Sequence, residues 1–363
     1  MRKFILFPYH PDINILVEHR QSLEDWDICG VASFKEDCHL TRSLNQKLGV
    51  EDLPFDQLLR NCDAVILLDN YRNLQPGKYY QIIEEAIYLR KEIFVTPQAR
   101  TQLDLDKYKG RYQLLEHLPD DIAAIDKEYM LRQGATDNKL YSIEVPIIGV
   151  YGQGKHCDKF ENQLLTKQVL EKEYKTTVVS SNALGILFGC YSMPSFLFDK
   201  IPFQEKIFKF NYYIRIISKT CTPDAMIIGI PEGVTPFRRQ EFHHFAEYPL
   251  VISSAVDFDL AILCTYFLSG DKLDSGLKAF VDFFQNKFGI PVGAVSISRA
   301  AVDVPSEEDK GVNWEHLGQS YLRKYYPDLK SINLPMIDLL NREDAMVTIA
   351  KSLGRLQENV GAI

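Results

Sequence analysis

Short apolar runs alternate with longer amphipathic ones along this chain. The runs 3–9 (KFILFPY), 26–33 (WDICGVAS), 62–68 (CDAVILL) and 92–96 (EIFVT) are rich in Val, Ile, Leu and Phe and read as buried strands. Between them, 12–23 with Asp12 as a cap, 55–61 and 77–91 carry a helical pattern, while 34–53 is polar and predicts no element. Apolar strands separated by helices predict a parallel sheet covered on both faces. Residues 1–120 therefore predict a Rossmann-like domain. The polar stretch 98–140 connects it, through 121–140, to a second domain over 141–363. There the alternation resumes, with strands at 145–150, 175–180, 224–229, 257–266, 290–298 and 334–340, and helices at about 160–174, 202–219, 272–288 and 343–357. The expected fold class is α/β: an N-terminal Rossmann-like parallel sheet, then a C-terminal P-loop-NTPase-like parallel sheet with helices on both faces.

The most informative stretch is Val145 to Phe160, VPIIGVYGQGKHCDKF. An apolar run ends in a turn holding Gly149, Gly152 and Gly154, and an amphipathic helix follows. Strand, glycine turn and helix together let backbone N–H groups surround a phosphate at the positive end of the helix dipole. In one register, Gly149-x4-Gly154-Lys155 matches the start of a P-loop, but His156 stands where a Ser or Thr hydroxyl should bind Mg²⁺. A second register runs from Gly152 to Lys159. There Asp158 replaces the second glycine and Glu161 falls near the hydroxyl position. A carboxylate against a phosphate costs about what a helix-end charge is otherwise worth, about 0.3–1 kcal/mol, and more if desolvated. Both registers predict a nucleotide-site shape with damaged phosphate chemistry.

Composition narrows the function classes. Hydrophobic content of 46% and charged content of 25% fit a globular protein. A net charge of −8 argues against a general nucleic-acid or anionic-membrane binder, which needs a basic footprint. No apolar run approaches the ~20 residues needed to span a bilayer. The apolar segment after Met1-Arg-Lys is short for a signal peptide and reads as a first strand, so a cytoplasmic protein is expected. The seven cysteines form no CxxC pair, which argues against a disulfide framework or zinc ribbon. Cys29, Cys62 and Cys264 read as core residues. Cys157, in the glycine loop, is placed where a helix N-terminus can lower a thiol pKa.

Other candidates cluster at predicted strand ends, the usual ligand face of a parallel sheet. The loops 151–159, 181–194 and 230–239 are expected to converge. Glu232 takes the approximate place of a metal-binding or basic carboxylate, with Gly233 and Thr235 beside it, and Arg238 and Arg239 are candidates for clamping an anion. His243 and Glu247 share a helical face, but two ligands are too few for a structural zinc, and His244 points elsewhere from its neighbour; no metal site is expected. In the first domain no GxGxxG follows the first strand. The turn there is Phe7-Pro8-Tyr9-His10-Pro11, so NAD or FAD is not expected, although His10 and Asp69 lie at strand ends. No protease triad, iron–sulfur spacing or nucleic-acid module is present.

The stretches VPIIGVYGQGKHCDKFENQL, SSNALGILFGC, PDAMIIGIPEGVTPF and VDFDLAILC, with KFILFPY and CDAVILLDNY nearer the start, resemble the peptide maturation system family encoded beside radical-SAM enzymes in bacterial ribosomal-peptide gene clusters. That resemblance implies a loop of the form Gly-x5-Gly-Lys-Phe-Thr, which here falls on Gly152, Asp158, Lys159, Phe160 and Glu161. The lysine is kept while the second glycine and the threonine are replaced. It also implies a second loop at Gly229 to Pro236 that keeps its glycines and Thr235. Two functions follow as expectations. One is an accessory protein whose pseudo-P-loop does not hydrolyse nucleotide, partnered by maturation proteins, the precursor peptide, or a paralogue in a homo- or hetero-oligomer. The alternative is a nucleotide- or acyl-CoA-dependent peptide-modifying enzyme, with Lys155 or Lys159 holding phosphates, Glu232 as metal ligand or base and Arg238 as clamp.

Overall fold

A computed structural model describes residues 1–50, 54–70, 76–133, 139–236, 246–268, 271–303, 313–325 and 333–360. The chain divides into two compact units: Met1–His117 with Asn182–Ser192, and Leu118–Ser181 with Met193–Ile363. The stretch 121–140, a connector by its polarity, thus groups with the second unit. Asn182–Ser192 returns to the first, where the Glu24 N–H donates to Leu187 O (2.9 Å) and the Ser192 N–H to His117 O (2.8 Å).

The first unit is a five-stranded parallel sheet of β1 (Arg2–Phe7), β2 (Trp26–Val31), β3 (Ala64–Leu67), β4 (Glu92–Val95) and β5 (Gln113–Leu114), in the order β2-β1-β3-β4-β5. Phe4 lies opposite Ile28 on one side and Ala64 on the other. On one face Ile5, Phe7, Val65, Leu67 and Val95 meet Leu58, Leu59, Tyr79, Ile82 and Ile83 from the helices Phe55–Arg60 and Gly77–Tyr88. Each such buried side chain stabilises the fold by about 1.5–3 kcal/mol.

The polar stretch 34–53, expected to hold no element, contains the helix Cys38–Leu48. Its buried face is only half apolar, Thr41, Leu44, Asn45 and Leu48, which hides the helical period from a hydrophobicity reading. The Asn45 amide completes strand β2 by accepting from the Val31 N–H (2.8 Å) and donating to the Val31 carbonyl (3.0 Å). Asp12, expected as a helix cap, makes no capping bond, because its carboxylate instead accepts from the Asn182 amide (2.6 Å).

In the second unit β6 (Ile147–Gly152), β7 (Thr176–Ser180), β9 (Ala225–Gly229), β10 (Leu260–Thr265), β11 (Val292–Ile297) and β14 (Met336–Ile337) run parallel in the order β14-β11-β10-β6-β9-β7. The remaining short strand, β8 (Tyr191–Ser192), belongs to the segment held in the first unit. β6, β10 and β11 are buried at every residue, as expected of central strands covered on both faces. The helix Lys159–Leu170 packs on β6, β7, β9 and the closing helix Arg342–Val360, so its polar residues Glu161, Asn162, Gln163 and Thr166 are buried as well.

The second unit also holds elements outside the expected pattern, among them the helix Glu247–Ala255, the antiparallel hairpin of β12 (Ala300–Asp303) with β13 (Asn313–His316), and the helix Gln319–Tyr325. The first carries Pro249 in its opening turn, where no intrahelical donor is required. Within the sheet β6 lies between β9 and β10, neither of which follows it directly in sequence. The C-terminal end of β6 is therefore a topological switch point, where loops part and leave room for a crevice.

Candidate functional site

β6 ends at Gly152 and the next helix begins at Lys159, preceded by Asp158 in the left-handed conformation (φ 54°, ψ 27°). The strand–turn–helix unit is thus the register from Gly152 to Lys159. The register opening at Gly149 does not form: Gly149 stands inside β6, where Tyr151 and Phe258 fill the space a Cβ would need. Lys155, its lysine, is in mid-loop and half exposed.

The loop is braced on two sides. The Gln153 N–H donates to Cys264 O (2.8 Å), and its side-chain oxygen accepts from the Thr265 hydroxyl (2.8 Å). From the loop after β9, the Val234 N–H donates to Gly152 O (3.0 Å) and the Thr235 hydroxyl to Gln153 O (3.1 Å). Gly233 lies so near that a Cβ there would sit 2.4 Å from Gln153 O and 2.5 Å from Gly154 Cα, so this position requires glycine. Gly152, Gly154, Lys155, Lys159, Glu232, Gly233 and Thr235 therefore come together. The loops 151–159 and 230–236 meet as expected, whereas Asn182–Ser192 groups with the first unit. Arg238, Arg239, Glu241, His243 and His244 lie outside the described residues. Glu247, expected beside His243, pairs with the Lys206 ammonium (2.9 Å).

The charges of the loop are satisfied from within. The Lys159 ammonium donates to Gly154 O (2.9 Å) and to the Glu232 carbonyl. The Lys155 ammonium lies 3.0 Å from the Glu232 carboxylate, the candidate base. Asp158 and Glu161, the two departures from a phosphate-binding loop, share one partner. The Arg299 backbone N–H donates to Asp158 Oδ2 (2.6 Å), its Nε lies 3.4 Å from the same oxygen, and its guanidinium pairs with Glu161. The two acid side chains are 5% and 6% exposed and that of Arg299 16%. Two carboxylates at the positive end of a helix are further favoured by its dipole.

Arg299 was not singled out from sequence. Its available signal was position, directly after the strand predicted at 290–298 and hence at the ligand face of the sheet. Tyr266 and Trp314 were missed too. The Tyr266 hydroxyl donates to the Lys155 carbonyl and accepts from Trp314 Nε1 (3.0 Å), and the Trp314 ring meets His156 edge-on at 5.3 Å. Burial pushes the Tyr266 phenol up. The thiol of Cys157 corrects an expectation. It is buried and donates to Gly154 O (3.1 Å), and burial raises its pKa instead of the helix end lowering it.

In the first unit His10 is buried at the C-terminal end of β1, with Nδ1 3.4 Å from Asp12 Oδ2 and Nε2 3.8 Å from Asp69 Oδ2. His10 and Asp69 thus flank the switch point between β1 and β3. Among the described residues, no group of three His, Cys, Asp or Glu side chains is placed to hold a metal, and no helix is long and apolar enough to cross a membrane.

No family model matches the chain, and no curated protein matches it in sequence. Among solved structures, the crystal structure of a DUF1611 family protein from Anabaena variabilis is similar over 98% of this chain and 100% of its own, with 9% sequence identity and a TM-score of 0.57. This likeness shows the fold: two units with parallel sheets flanked by helices. A dehydrogenase (MviM) from Clostridium difficile aligns over 43% of this chain and 49% of its own at 12% identity, and its TM-score of 0.23 carries no argument.

Proposed function

We propose that the second unit is a pseudo-P-loop scaffold that does not hydrolyse nucleotide. In this reading the protein serves as an accessory subunit in the maturation of a ribosomally synthesised peptide, partnered by a maturation protein, the precursor peptide or a paralogous copy. One observation carries the scaffold reading: Arg299 joins Asp158 and Glu161, the two positions where the loop of the resembled family has a glycine and a threonine. A phosphate entering the turn would meet two carboxylates held by a single guanidinium, a net negative charge. Like charges 4 Å apart cost about 4 kcal/mol at an effective dielectric near 20, so the acids resist a nucleotide as strongly as a good cation contact would attract it. The peptide-maturation setting is supported by the resemblance of the loop and strand stretches, and it stands or falls separately from the loop chemistry.

A second reading is favoured by one feature. Lys159 opens the helix and holds its ammonium inside the glycine turn, the place from which a lysine contacts phosphates in ATP-, GTP- or acyl-CoA-dependent enzymes. Calorimetric titration with ATP, GTP and acetyl-CoA in the presence of Mg²⁺, on the wild type and on Lys159→Ala, separates the two. The scaffold reading expects no saturable heat with any of them. Binding that is lost in Lys159→Ala moves the enzyme reading ahead.

A further inference from the structure

We propose that the second unit carries a separate binding site for an aliphatic chain, at the end of its sheet opposite the glycine loop. A cavity of about 520 Å³ opens there, within the size range of sites that hold one small molecule. Its floor is Pro146 and Ile148 at the start of β6 with Ala225 at the start of β9. One wall is Val169 and Leu170, at the end of the helix that the glycine loop begins. The other is Ala350, Leu353 and Gly354 of the closing helix, positions that share one helical face.

The lining dictates the ligand chemistry. None of these eight side chains offers a hydrogen-bond donor or acceptor, so a polar group taken into the cavity would lose its water without replacement. All eight are aliphatic or lack a side chain, and the only aromatic ring among the lining residues is Tyr174 at the rim, so a flat aromatic ligand would find no partner for stacking inside. An alkyl or acyl chain suits such walls. At the rim, the Asp224 carboxylate accepts from the Lys175 N–H (2.8 Å) and keeps its charge, so Lys172 stands beside two carboxylates, Asp224 and Glu173. Such a rim disfavours the carboxylate of a fatty acid, so the occupant is an uncharged molecule with a hydrocarbon tail.

Gly354 provides the test. A Cβ built there meets nothing within 4 Å, so a larger side chain at this position projects into empty space instead of into packed atoms. Glycine also weakens a helix relative to leucine, so Gly354→Leu plugs the cavity without a folding penalty of its own.

The experiment uses the full chain. The uncharged alcohols 1-hexanol, 1-octanol and 1-decanol are titrated by calorimetry. Saturable binding is expected, with each added pair of methylenes strengthening it by about tenfold. Gly354→Leu is expected to weaken 1-octanol binding at least tenfold, and Ala350→Leu, one turn earlier, serves as a second plug should the first variant misfold. Lys351→Ala, outside the lining, should bind as the wild type does. Absence of saturable binding, affinity independent of chain length, or wild-type affinity in the folded plugged variants would each overturn the proposal. None of these outcomes depends on whether the glycine loop binds nucleotide.

Discussion

After β1 the chain turns through Phe7-Pro8-Tyr9-His10-Pro11; after β6 it turns through Gly152 to Asp158. Both turns occupy the C-terminal end of the first strand of a parallel sheet, beside a switch point. The first has two prolines, which supply no N–H, so its backbone cannot surround an anion. The second has glycines that let neighbouring backbone approach, and Gly233 seals it from the adjoining loop. Charge handling differs as well. Around His10 the carboxylates of Asp12 and Asp69 are 22% and 30% exposed, and water shares in neutralising them. Around Arg299 the carboxylates are nearly closed off, and the guanidinium is a buried counter-charge that both share. The pair of turns teaches that backbone geometry and charge complement are separable. A turn can keep the shape of an anion site while its own side chains supply the charges a ligand would have met.

The comparison breaks most visibly if burial does not make the second turn obligatory. Arg299→Ala leaves two buried acids without their cation, and losing one member of a buried pair costs about 3–5 kcal/mol. Urea denaturation should show that loss, and a change under about 1 kcal/mol would contradict the account. Next in size is Gly233→Ala, where the added methyl meets backbone atoms that cannot swing aside. A destabilisation of about 1–3 kcal/mol is expected in the same assay. Asp69→Asn in the first unit should stay within about 0.5 kcal/mol, because a long, partly solvated contact contributes little. A loss comparable to that of Arg299→Ala would erase the contrast between the turns.

The smallest effect is chemical. Cys38 of the first unit is exposed, whereas Cys157 is buried with its thiol pushed up, so iodoacetamide at neutral pH should label Cys38 in the folded protein. Cys157 should react only after unfolding, as read by peptide mass spectrometry. Early labelling of Cys157 would mean that the loop opens.

Much of the fold was legible because apolar strands carry a strong signal: β2, β3, β4, β7, β9, β10, β11 and β14 each lie within a stretch read as a strand, and β1 and β6 overlap theirs. Two of the elements that escaped depend little on hydrophobic side chains. The helix Cys38–Leu48 buries Thr41 and Asn45, and the hairpin of β12 with β13 has an exposed outer strand. In the site, glycines and lysines were visible because the motif fixes their spacing. Two lysine registers were open, each with a flaw, and what separates them is where β6 ends, a boundary that periodicity places only to within a few residues. The partnership of Asp158 and Glu161 with Arg299 spans the interval from one crossover to another, and no local pattern encodes it.

The central claim is that the acids at 158 and 161, compensated by Arg299, close a turn whose backbone still has an anion-binding shape. Its most direct test is the affinity of the Asp158→Gly/Glu161→Thr double variant for ATP with Mg²⁺, measured by calorimetry beside the wild type. The account predicts a silent wild type and saturable binding in the variant, where Arg299 and Lys159 are left to meet phosphate. Equal binding by both proteins would contradict it.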